Sequence, residues 1–166
     1  MSRIKRFRPF PVAVLASLAL LAAVAVTSSA ASPTGVAGCP ITGPDRIALI
    51  TPPAHLNIEM LQSVPTVATS TTQALVLRIR ITSSCGGPVG GALVYVTATP
   101  FNQFSIPPEA TTAINGWATL TLQRLSGYPV SSRQQLIAIF VRARKAGEDP
   151  LAGISARRLM SIRVDL

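Results

Sequence analysis

Residues 86–122 read as two chain reversals, each leading into an alternating apolar run. Gly86-Gly87-Pro88-Val89-Gly90-Gly91 joins a proline that fixes φ to glycines that admit positive φ, so the chain can turn before Ala92. The run that follows, Leu93-Val94-Tyr95-Val96-Thr97, is rich in the β-branched residues that suit a pleated strand. Asn115-Gly116 supplies a second tight reversal, and Trp117 to Gln123 then places Ala118, Leu120 and Leu122 on one side. Such a chain folds into antiparallel sheet, with one face of each strand buried and the other wet.

The same pattern recurs on both sides of this stretch. Residues 74–82 put Leu75, Leu77, Ile79 and Ile81 on one face, with Arg78, Arg80 and Thr82 on the other. Ile137, Ile139, Val141 and Ala143 face inward from residues 136–144, as do Met160, Ile162 and Val164 near the C-terminus. Residues 55–64 alternate through Leu56, Ile58, Met60 and Val64, although Leu56, Met60, Leu61 and Val64 also satisfy a helical stripe; we read a strand. A short strand at Thr111-Thr112 brings the expectation to about seven. Residues 66–72, 124–135 and 146–150 read as loops. The fold class expected is all-β, an antiparallel β-sandwich after an N-terminal signal segment.

That signal is expected at residues 1–31. Arg3, Lys5, Arg6 and Arg8 precede an apolar run from Val12 to Val26 and then Thr27-Ser28-Ser29-Ala30-Ala31, which suits cleavage after Ala30 or Ala31. The run is short for a retained span, so no stable membrane span is expected after cleavage. Loss of those four cations lowers the formal charge of +9 to +5. Mild basicity of this kind favours teichoic acids, anionic polysaccharide or lipid head groups, and export argues against nucleic acid. Residues 32–53, with Pro33, Gly35, Gly38, Pro40, Gly43, Pro44, Pro52 and Pro53, read as a Pro/Gly-rich linker with a peripheral apolar run at 47–50. One domain, 54–166, follows.

Two cysteines in an exported chain imply a Cys39–Cys85 disulfide. The competing reading is lipidation, since Val36-Ala37-Gly38-Cys39 has the form of a lipobox.

Chemistry is sparse. His55 is the single histidine, and any Ser-His or Cys-His arrangement would have to use it, with Ser63 as a neighbour. No cofactor motif or closely spaced metal-ligand set is present, so neither an enzyme nor a bound cofactor or metal is expected. Glu148-Asp149 is read as a solvated turn rather than a calcium loop. Phe101, Asn102, Gln103 and Phe104 form the candidate contact loop, too polar for core and too aromatic for a plain spacer.

The segment Gly87-Pro88-Val89-Gly90-Gly91-Ala92-Leu93-Val94 resembles the turn and strand that open many bacterial immunoglobulin-like modules. Thr111-Thr112-Ala113-Ile114-Asn115-Gly116-Trp117-Ala118-Thr119-Leu120 resembles the corresponding segment of the invasin and intimin (Big-1) type. The resemblance covers about a quarter of the chain and implies an immunoglobulin-like β-sandwich. Functionally it implies a secreted or cell-surface, non-catalytic module mediating protein or glycan contacts in the cell envelope. A structural envelope or matrix component acting by self-assembly is the alternative, and the oligomeric state is open.

Overall fold

The computed structural model describes residues 37–39, 45–149 and 153–166, and no α-helix occurs among them. The expected signal segment lies outside these residues. The described chain is all-β, with ten strands: β1 (Asp45–Arg46), β2 (Leu56–Val64), β3 (Val67–Thr69), β4 (Ala74–Ser83), β5 (Val89–Gly90), β6 (Leu93–Thr99), β7 (Ala110–Thr111), β8 (Trp117–Gln123), β9 (Leu136–Arg144) and β10 (Ala156–Asp165). Seven of them overlap the alternating runs expected from sequence. The other three, β1, β3 and β5, have two or three residues each, too few for alternation to register.

One sheet has the order β3-β10-β9-β6-β7, a second has β2-β4-β8, and β1 pairs in parallel with β5. All pairings in the two larger sheets are antiparallel except that of β3 with β10. Buried side chains from both larger sheets belong to one hydrophobic core. Leu77, Ile79, Leu120 and Leu122 enter it from the second sheet; Val94, Val96, Ile139, Val141 and Ile162 enter from the first. Apolar burial of this kind is the main favourable term in the fold.

Strand β2 departs from strict alternation. Ile58 lies opposite Ile81 and Met60 opposite Arg80, so Glu59 is the extra residue of a β-bulge. Beyond it the phase reverses: Leu61 turns to the core side opposite Ile79, while Met60 is 40% exposed and Val64 65%. The inward assignment of Met60 and Val64 is thereby corrected. The loop expected at 66–72 is corrected too, because Val67–Thr69 forms β3 beside Arg163–Asp165 and buries Ala68.

The described part of the expected linker is packed rather than free. Cys39 and Cys85 form a disulfide with Cα atoms 5.6 Å apart, which engages the Cys39 sulfur that a lipid thioether would need. Asp45 is buried and accepts a hydrogen bond from Ser83 Oγ, which in turn accepts one from the Cys85 N–H. Ile50 is fully buried in the core. Residues 47–49 form a 3₁₀ turn instead of a strand.

The two reversals hold each other. Thr112 Oγ1 is buried, donates to the Val89 carbonyl at 2.7 Å and accepts the Ala92 N–H at 2.9 Å. Gly116 has φ +79°, and a Cβ there would lie 2.5 Å from the Ile81 carbonyl oxygen. Only glycine fits that turn.

Candidate functional site

The connection from β6 to β7 divides into a projecting tip and an anchored base. Phe101 is 67% exposed, and Asn102 beside it is exposed with φ +65°, in the left-handed region. Gln103 is fully buried and Phe104 is 4% exposed. The candidate contact loop Phe101-Asn102-Gln103-Phe104 is therefore corrected in its second half: Gln103 and Phe104 face the protein, and only Phe101 and Asn102 are presented.

The base is held by groups distant in sequence. The Gln103 carbonyl accepts the Leu125 N–H at 2.8 Å, and its side-chain carbonyl accepts Gln134 Nε2 at 2.7 Å. The Phe104 ring packs on Tyr128, which is buried in turn. Burial pushes the Tyr128 hydroxyl above its ordinary pKa, with Arg124 acting in the opposite sense. Arg124 completes the base by donating to the Ser70 carbonyl at 2.6 Å and the Tyr128 carbonyl at 3.0 Å. Gly127 lets the tip lie close, since a Cβ there would be 2.3 Å from the Asn102 carbonyl oxygen.

Phe101 does not stand alone. A groove of about 270 Å³ runs past it, lined also by Thr97, Ala98, Asn102, Ile106 and Leu125. Ile106 and Leu125 are exposed apolar side chains that sequence reasoning missed. Ile106 gave one weak signal, a lone apolar residue before Pro107-Pro108; Leu125 gave none.

The other described aromatic rings are less accessible. Arg78 lies over Trp117 at 4.8 Å and Arg142 over Tyr95 at 4.9 Å, and both rings are half-buried. Glu109 bridges Arg142 at 3.0 Å and Arg144, whose Nε also lies 3.0 Å from the carboxylate. Hydrogen bonding from Arg144 holds the Glu109 carboxyl below its ordinary pKa, burial opposes this, and Arg142 adds to the lowering. Arg78 and Arg80 lie on β4, whereas Arg142, Arg144, Arg157 and Arg163 lie in the other sheet, as expected from sequence.

His55 is exposed, and its backbone N–H donates to Ser84 Oγ. Both cysteines are in the disulfide. Glu148 accepts the Ile154 N–H at 3.3 Å. Among the described residues no group of three His, Cys, Asp or Glu could hold a metal ion, and no helix is long and apolar enough to cross a membrane. No protein-family model matches the chain, and no curated protein matches it.

Proposed function

We propose that this chain is an exported, non-catalytic immunoglobulin-like module that makes protein or glycan contacts in the cell envelope through Phe101 and its groove. The observation that carries the reading is the contrast within one loop: an exposed ring stands on a base whose next two residues are buried and bonded. A fixed aromatic side chain loses little entropy on binding and offers a large apolar face to a sugar or a protein surface.

The fold supports an immunoglobulin-like sandwich of the invasin and intimin type. In that reading β2, β4 and β8 take the places of strands A, B and E, while β6, β9 and β10 take those of C, F and G. The Cys39–Cys85 disulfide accords with export to an oxidising compartment.

Phe101→Ser tests the function. The variant should keep its thermal midpoint within about 2 °C, since exposed substitutions rarely alter stability much, and should lose retention on isolated envelope. A variant retained as well as the parent removes this surface from consideration. Self-association of the parent without envelope retention would favour the matrix role instead.

A further inference from the structure

A second groove, of about 630 Å³, lies where the β2 bulge meets the start of β10, and its lining is predominantly polar. Its charged residues are Glu59 and Arg80 from the β2-β4 sheet and Arg157 and Arg158 from β10. Three guanidinium groups against one carboxylate leave an excess of two positive charges. The volume falls within the range of about 300–1,000 Å³ typical of small-ligand sites.

The bulge builds this groove. Extra residue Glu59 breaks the ladder, and Arg158 Nη1 crosses from β10 to donate to the Ile58 carbonyl at 2.7 Å and the Glu59 carbonyl at 3.2 Å. These acceptors are neutral, so the charge of Arg158 stays uncompensated by them. Arg80 Nε lies 3.4 Å from Glu59 Oε2, yet that N–H is buried and has no hydrogen-bond acceptor among the described residues. A buried donor on a cation without an acceptor is costly, and a ligand oxyanion would relieve it. Asn57 and Thr82 supply neutral hydrogen-bonding groups on the same wall.

We propose that this groove binds the oxyanionic groups of a linear anionic polymer, a phosphodiester or carboxylate on each repeat. The site is separate from the Phe101 loop and does not rest on its role. Positive potential concentrated in a groove both raises the encounter rate and selects for negative charge.

Calorimetric titration of the full chain with glycerol-phosphate oligomers and with oligogalacturonate tests the proposal, with neutral dextran as control. Glu59→Gln removes the opposing charge and should tighten binding by about threefold, whereas Arg80→Gln should weaken it by about tenfold. Arg163→Gln, which removes an arginine outside the groove, and Phe101→Ser should each stay within about twofold of the parent. That order with either polymer supports the site, and the tighter of the two identifies the oxyanion as phosphodiester or carboxylate. Three results overturn it: no binding to either polymer, equal binding to dextran, or an Arg163→Gln loss as large as that of Arg80→Gln. The gain expected of Glu59→Gln cannot arise from misfolding, so failure of Arg80→Gln to fold leaves the test decisive.

Discussion

The rings of Phe104 and Tyr128 meet with centroids 4.9 Å apart and planes inclined by 51°, joining the base of one loop to another distant in sequence. This contact separates two phenylalanines that sit three positions apart. Phe104→Ala should destabilise the protein by about 3 kcal/mol, as the loss of a buried ring commonly does. Phe101→Ala should change stability by less than about 0.5 kcal/mol. Urea unfolding of the two variants measures both, and equal losses would place both rings in the core.

The disulfide is expected to contribute about 4 kcal/mol through loop closure, as its 46-residue separation implies in the chain-entropy description. Replacing both cysteines by serine should lower the denaturant midpoint accordingly. A near-neutral effect would mean that Asp45 and Ile50 hold the N-terminal segment without the covalent link.

The bulge at Glu59 reverses the roles of its neighbours. Leu61→Ala should cost about 1.5 kcal/mol, part of the loss for a fully buried leucine, whereas Met60→Ala should cost less than about 0.5 kcal/mol. The opposite order in equilibrium unfolding would restore unbroken alternation and remove the bulge.

Much of the fold was legible because one face of each long strand is buried, which writes a period of two into residues such as Leu75, Leu77, Ile79 and Ile81. The pattern failed at Met60 because a single inserted residue changes phase without changing composition. It failed at Val67–Thr69 because three residues pairing with a strand at the other end of the chain carry no local signal. The contact loop was half legible: its aromatics marked it, but the partners that bury Phe104 and Gln103 are Tyr128 and Gln134, which only the tertiary fold brings near. Glu59, Arg80, Arg157 and Arg158 share a groove for the same reason, since β2, β4 and β10 meet only in three dimensions.

Glu109 sets an acid-side dependence of stability. Its carboxyl is held below the ordinary value of 4.5, chiefly by hydrogen bonding from Arg144. A group with a lowered folded pKa contributes stability that is fully present above the unfolded value and is lost as pH falls through the folded value. Glu109→Gln should therefore be less stable than the parent at pH 7, with the difference shrinking as pH is lowered past 4.5. Thermal melts across that window check the sign; a difference that grows on acidification would contradict it.

Photo-crosslinking from position 101 tests the central functional claim most directly. With benzophenone-alanine in place of Phe101 and the full chain produced in its native host, irradiation should attach the protein to envelope glycan or protein. The same group at Leu49, an exposed apolar position in a different part of the chain, should give little or no adduct. Equal adducts at both positions, or none at 101, would contradict the assignment of this loop as the contact surface.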